Sequence, residues 1–146
     1  MKKLIPLMAA IVITACTLTN DSLVGRWEST NMPPEYLVFG SYNSFDVQEK
    51  NGTSLQEEMT AQQQGYVGLS YETVTEIEPH QLYMVMSAGG SSWKEPIGIY
   101  KIEGNKLILR RVTEFHRTLG GFDMGVSRVE MPEDFNGVVE TYIRVQ

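Results

Sequence analysis

The feature that most constrains the fold is a near-repeat in the middle of the chain. Residues 77–84 read Ile-Glu-Pro-His-Gln-Leu-Tyr-Met, and residues 102–109 read Ile-Glu-Gly-Asn-Lys-Leu-Ile-Leu. Each copy joins two apolar runs through a short turn, and a Tyr-containing, Gly-containing run precedes each (65–71 and 98–100). Short apolar runs separated by turns at regular spacing predict a β-meander.

Two further segments predict strands. Residues 45–50 alternate apolar with polar and stop at Asn51-Gly52, a dipeptide typical of a tight hairpin turn because both residues tolerate positive φ. Residues 138–145 also alternate and end the chain as a strand.

Two segments are harder to assign. Residues 54–65 are rich in Gln and Glu; they fit either a helix, since Leu55 and Met59 have helical spacing, or a polar hairpin arm. Residues 113–137 are expected to be irregular, with one helical turn starting near Pro132.

About eight strands, short turns and little helix leave a sandwich or a barrel. A closed barrel removes the unpaired edges that an open sheet exposes. The sequence therefore favours an all-β fold, an antiparallel up-and-down barrel of about eight strands.

The N-terminus predicts export. Lys2 and Lys3 precede an uncharged apolar run over residues 4–15, which is shorter than the roughly 20 residues that span a bilayer. Ile13-Thr14-Ala15-Cys16 resembles the lipobox of bacterial lipoproteins. The resemblance implies a signal peptide over 1–15, cleavage before Cys16, acylation of Cys16 with two or three chains, and a lipidated tether over 16–22. The alternatives are an ordinary signal peptide with a chance cysteine, or an uncleaved anchor.

Cys16 is the only cysteine, so no disulfide can form within the chain, and the lipid expected on its thiol argues against thiol catalysis or a cysteine-based metal site. Thr17 follows it, where enteric lipoproteins retained in the inner membrane have Asp. The lipoprotein resemblance therefore implies attachment to the outer membrane of a Gram-negative bacterium, on its periplasmic face or at the cell surface.

The charge excludes several partners. Once Lys2 and Lys3 are removed, ten basic residues remain against 18 acidic ones, a net charge of −8. Nucleic acid and direct binding of anionic lipid headgroups are not expected, and the acidity fits solubility.

A second resemblance concerns the domain over residues 23–146. Residues 23–27, Leu-Val-Gly-Arg-Trp, resemble the Gly-x-Trp opening of lipocalins, and residues 100–109 resemble a later lipocalin hairpin. The resemblance implies a lipocalin-like barrel in which Trp27 plugs the closed end and Arg144 packs across its ring as a structural pair. An ordinary buried Trp beside a turn Gly is the alternative.

Two sets of residues are candidates for binding. The first set lies in predicted strands and either lines an apolar cup for a small apolar or amphipathic ligand or fills the core: Tyr71, Tyr83, Met84, Met86 and Tyr100. The second set, Ser91, Ser92 and Trp93, lies in a small-residue loop that suits contact with an envelope protein.

Catalytic chemistry is not indicated. His80 and His116 are the only histidines, too few for a metal site, and Ser91-Ser92 lack the Gly-x-Ser-x-Gly pattern of a hydrolase nucleophile. We expect a non-enzymatic protein without metal or cofactor. Its function is either ligand binding inside the barrel or, alternatively, protein binding (an inhibitor, immunity or assembly lipoprotein) with a packed barrel.

The lipobox interpretation predicts that Cys16→Ser abolishes acylation, because the thiol is the acceptor. Fractionation of cells should then move the protein from the membrane to the soluble fraction. Unchanged membrane partitioning of the variant would overturn the interpretation.

Overall fold

The computed structural model describes residues 22–31 and 34–146. The predicted signal peptide, Cys16 and nearly all of the predicted tether lie outside these residues. The elements in chain order are β1 (Gly25–Ser29), β2 (Glu35–Phe39), β3 (Phe45–Glu49), α1 (Leu55–Gln63), β4 (Val67–Val74), β5 (His80–Ala88), β6 (Ser91–Glu103), β7 (Lys106–Arg111), β8 (Thr113–Leu119), β9 (Phe122–Glu130) and β10 (Glu140–Val145).

Eight strands form one antiparallel sheet in the order β3-β2-β1-β10-β7-β6-β5-β4. The first strand pairs with the last, with Trp27 opposite Arg144. The two outer strands of this order approach each other through one bridge, between Ser44 and Ser70. The sheet is thus a nearly closed up-and-down barrel, and the fold class predicted from the sequence is confirmed.

Strand direction defines two ends of the barrel. Residues 22–24 and the turns at 75–79 and 104–105 lie at one end, which we call the N-terminal end. Helix α1, the β5–β6 turn and the segment leaving β7 lie at the opposite, distal end.

Helix α1 settles the ambiguity over residues 54–65. The Ser54 hydroxyl accepts a hydrogen bond from the Glu57 amide (3.3 Å) and donates one to Asp46 (2.8 Å). Such an N-cap starts a helix by satisfying one of its free amides. The helix lays Leu55 and Met59 over a small core of Val67, Leu69 and Met86 beside the β3–β4 gap.

The barrel interior is filled by large side chains. Phe39 packs against Phe45 and edge-on against Tyr71, with ring centroids 5.1 and 5.0 Å apart. Among the described residues, every buried side-chain nitrogen or oxygen has a hydrogen-bond partner. The buried residues of this main core are Leu23, Trp27, Leu37, Phe39, Phe45, Tyr71, Leu82, Tyr100, Leu107, Leu109 and Tyr142.

Two expectations for residues 113–137 are wrong. Strands β8 and β9 form a hairpin over residues 113–130, joined at Gly120-Gly121, where φ values of 58° and 82° favour glycine. The predicted helical turn near Pro132 is absent. Asp134 instead accepts hydrogen bonds from the Asn136 amide and Arg110, and such local bonds compete with helix formation.

The Trp27–Arg144 contact implied by the lipocalin resemblance is present. The Arg144 guanidinium carbon lies 4.1 Å from the Trp27 ring centroid, and its nitrogens donate to the Ser22 and Val24 carbonyls (2.6 Å each). Trp27 is fully buried. A Cβ on Gly25 would lie 2.8 Å from the Arg144 guanidinium and would push it aside, and the φ of 143° at this position also favours glycine.

Arg144→Ala should lower the free energy of unfolding by about 1–3 kcal/mol, since it removes one cation–π contact and two hydrogen bonds. Urea unfolding measures the change. Arg128→Ala, which removes an exposed cation–π contact with Phe115 (4.2 Å), is the matched control and should have a smaller effect. Equal losses of unfolding free energy in the two variants would contradict the larger stabilising role of Arg144.

Candidate functional site

An apolar groove opens at the distal end of the barrel. It has a volume of about 670 Å³, and its lining residues are Gln63, Gly65, Tyr66, Ala88, Gly89 and Trp93. We call it the Trp93 groove. The Trp93 side chain is 43% exposed and that of Tyr66 is 74% exposed, which makes the groove an aromatic surface.

The length of β6 creates the groove. Strand β6 pairs with β7 only from Gly98 onward, so its first residues extend past the barrel rim together with β5. Gly89-Gly90, with φ values of 58° and 82°, reverses the chain between these strands. Trp93 lies opposite Met86, which lies opposite Leu69, and its indole therefore continues the apolar face under α1.

Ser91 and Ser92, which sequence analysis placed with Trp93, lie at the start of β6 opposite Ala88 and Ser87. Both are exposed and line a neighbouring recess of about 330 Å³ that also contacts Tyr66. The three candidate protein-contact residues thus lie in a strand and not in the predicted loop, with Ser91 and Trp93 on one face of β6 and Ser92 on the other.

Most of the candidate ligand-binding residues lie in the packed interior, and Tyr100 also lines a recess of about 230 Å³ with Glu78 and His80. Tyr71, Met86 and Tyr100 are buried in the cores, and Met84 packs between them. Burial raises the pKa of the Tyr71 and Tyr100 hydroxyls. These four side chains fill the space that a ligand would need.

Tyr83 lies on the other face of the sheet. It pairs with Glu72, and the Lys94 ammonium covers its ring at 4.4 Å from the centroid. Its hydroxyl donates to the Gln81 side chain (2.7 Å). Tyr83 therefore faces outward and does not line the interior, contrary to the cup interpretation.

A polar cluster, not anticipated from the sequence, closes the distal mouth of the barrel. The Tyr142 hydroxyl lies 2.8 Å from Glu35 and 2.7 Å from Glu140, while Arg111 donates to both carboxylates and to the hydroxyl at 3.0–3.1 Å. Burial raises the pKa of Tyr142, so its hydroxyl stays protonated and donates. These four residues, the mouth cluster, tie β2, β7 and β10 together above the core.

Strands β8 and β9 form a second distal feature, which we call the exposed arm (113–130). Among the described strands they pair only with each other, and two register shifts interrupt their pairing. Large apolar side chains are exposed on the arm: Leu119, Phe122, Met124, Val126 and Val129. The only sequence signal for it is the Gly120-Gly121 turn.

His116 pairs with carboxylates on the arm. Its Nδ1 lies 2.9 Å from Asp123, and its Nε2 lies 3.6 Å from Glu114. The hydrogen bond to Asp123 raises the pKa of His116 above 6.5. The pKa of Asp123 is lowered, first by the hydrogen bond that it accepts from the Gly125 amide and second by its hydrogen bond with His116. Within residues 22–31 and 34–146, no three His, Cys, Asp or Glu side chains lie close enough together to hold a metal ion.

Comparison with protein-family models, curated proteins and solved structures found no match for this chain. In the part of the chain that the structure describes, no helix combines the length and apolarity needed to cross a membrane.

The His116–Asp123 ion pair predicts a pH range in which the arm is most stable. Because the pKa of His116 is raised, the stability that His116 contributes to the arm is fully present below pH 6.5 and is lost as pH rises through the raised pKa. Because the pKa of Asp123 is lowered, its contribution is complete above pH 3.8 and is lost as pH falls through the lowered pKa. Amide exchange in the arm, corrected for intrinsic rates, should therefore be slowest between these limits.

NMR titration of His116 tests directly whether Asp123 raises the pKa of His116. Asp123→Asn should return its pKa toward the ordinary value of 6.5, whereas Asp134→Asn, a change of the same kind outside the arm, should not. An unchanged His116 pKa in Asp123→Asn would contradict the assignment.

Proposed function

We propose that the protein is a non-enzymatic, lipid-anchored lipoprotein of the Gram-negative envelope that binds another envelope protein through the Trp93 groove. The observation that carries the proposal is the contrast between a filled barrel interior and an exposed aromatic surface at the distal end. The lipid on Cys16 remains a prediction from the lipobox.

Packing favours protein binding over the ligand-in-barrel alternative. A ligand inside the barrel would have to displace buried side chains such as Phe39, Tyr71 and Tyr100. Removing one large aromatic side chain from a core costs about 3–5 kcal/mol. The mouth cluster and α1 would also have to move, since both lie over the core at the distal end.

The composition of the groove suits a protein interface. Tyr and Trp are enriched among the residues that contribute most to binding, and such anchors lie within a more polar rim. Trp93 and Tyr66 supply the aromatic surface, while Gln63, Ser91 and Ser92 are polar residues beside it.

The position of the groove supports a partner away from the anchoring membrane. Ser22 lies at the N-terminal end of the barrel, next to the proposed tether. Seven tether residues, 16–22, span at most about 25 Å. The groove lies at the opposite end and would face the aqueous compartment, where proteins reach it.

Site-specific photo-crosslinking in the host tests the proposal. A photoreactive residue at Ser92 should give a discrete crosslinked protein band, and the same residue at Tyr42, a fully exposed side chain at the N-terminal end, should not. Trp93→Ala should remove the Ser92 band, because loss of a binding anchor costs about 2 kcal/mol or more, roughly thirtyfold in affinity.

Equal bands from both positions, or a Ser92 band that survives Trp93→Ala, would contradict the proposal. Native mass spectrometry of the purified protein checks the alternative. A small molecule that co-purifies and is released on denaturation would favour ligand carriage.

A further inference from the structure

We propose that the Trp93 groove recognises a basic peptide segment, with a Lys or Arg side chain of the partner held against Trp93 and Tyr66. This inference rests on the proposed function and specifies the chemistry of the partner. Three independent features of the described residues support it: unoccupied aromatic faces, an uncompensated helix end and a local excess of carboxylates.

Within residues 22–31 and 34–146, no Arg or Lys covers the aromatic faces of the groove. Elsewhere in the described residues five aromatic rings each have an Arg or Lys within 5.1 Å of the centroid; the pairs are Arg26–Tyr36, Lys94–Tyr83, Lys101–Phe135, Arg128–Phe115 and Arg144–Trp27. Over the same described residues, no such cation lies on Trp93 or Tyr66. Trp gives the strongest cation–π attraction of the aromatic side chains, and Trp93 is solvent-accessible.

The C-terminus of α1 points its partial negative charge toward the groove. Gln63, the last residue of the helix, is part of the lining, and Gly65 follows on the same wall. The last turn of α1 contains no basic residue that would offset this charge. A cation bound here gains from the helix dipole, whereas an anion is disfavoured.

Carboxylates outnumber lysines around the groove. At the distal end, residues 49–66 and 89–95 together carry four Glu, two Lys and no Arg. Lys94 is already bonded to Glu72 at 2.7 Å on the outer face. Glu95 lies two residues from Trp93 on the same strand face and can pair with a bound cation.

The shape of the groove favours a peptide segment over a small ammonium ion. The space of about 670 Å³ is open to solvent and is bordered by the backbone at Gly65 and Gly89. Glycine leaves the backbone accessible, so an extended chain can lie along it while its basic side chain reaches the rings. The same local negative charge disfavours anionic lipid headgroups and nucleic acid.

Tryptophan fluorescence gives a direct readout, because the chain has two tryptophans and Trp27 is fully buried. The full chain in neutral detergent is titrated with a ten-residue peptide of alternating Lys and Ser, and with its Glu-Ser counterpart. The Lys peptide should change Trp93 emission saturably, bind at least tenfold more tightly than the Glu peptide, and weaken as salt is raised. Trp93→Phe should abolish the signal.

Two variants of equal net charge test the geometry. Glu95→Gln should weaken binding of the Lys peptide about threefold, while Glu76→Gln, in the turn at the N-terminal end, should leave it unchanged. Equal responses to the two peptides, or equal effects of the two variants, would overturn the basic-segment assignment. If the Ser92 crosslink still forms in that case, protein binding stands and only the cationic specificity fails. If the Lys peptide binds as expected but no crosslink forms, the specificity stands and the proposed function fails.

Discussion

Pairing of the first strand with the last is the interaction on which the rest of this structure depends. It brings Arg144 over Trp27 and lets the guanidinium bind the carbonyls that lead into β1. Because β10 also pairs with β7, one short strand joins the N-terminal meander to the central one. Glycine suits position 25 at this junction because its φ is 143° and because a Cβ there would displace the Arg144 guanidinium.

The size of the barrel decides where function can be located. Eight strands enclose a space that side chains just fill, and here Phe39, Tyr71 and Tyr100 occupy it. Under the proposed function, recognition falls to structures that extend beyond the rim, such as the β5–β6 hairpin. On this hairpin, Trp93 continues the apolar face under α1 on one side and is exposed to solvent on the other.

Local sequence signals predicted the meander and barrel class well, because alternation and turn residues act over a few positions. The strand over 45–49 and the Gly104-Asn105 turn follow from such signals. Contacts between distant positions could not be predicted in this way. Glu35 and Tyr142 are 107 residues apart, and neither local sequence pattern indicates their hydrogen bond.

Strand faces were only partly predictable. Tyr83 and Met84 are adjacent and must point to opposite sides, so the two cannot both line one interior. A bulge between Leu82 and Tyr83 shifts the register with β6, and sequence alternation alone does not locate it. The arm was missed because its strands alternate weakly, although Leu119 and Phe122 flank a Gly-Gly turn.

The register shifts in the arm have a consequence for how the protein behaves among its own copies. A two-stranded ribbon has two unpaired edges, each a potential template for another strand. Bulges near His116 bend and twist the ribbon, so a neighbouring strand cannot align along its length. The arm can thus keep apolar side chains in water while its backbone resists the edge-to-edge stacking that leads to fibrils.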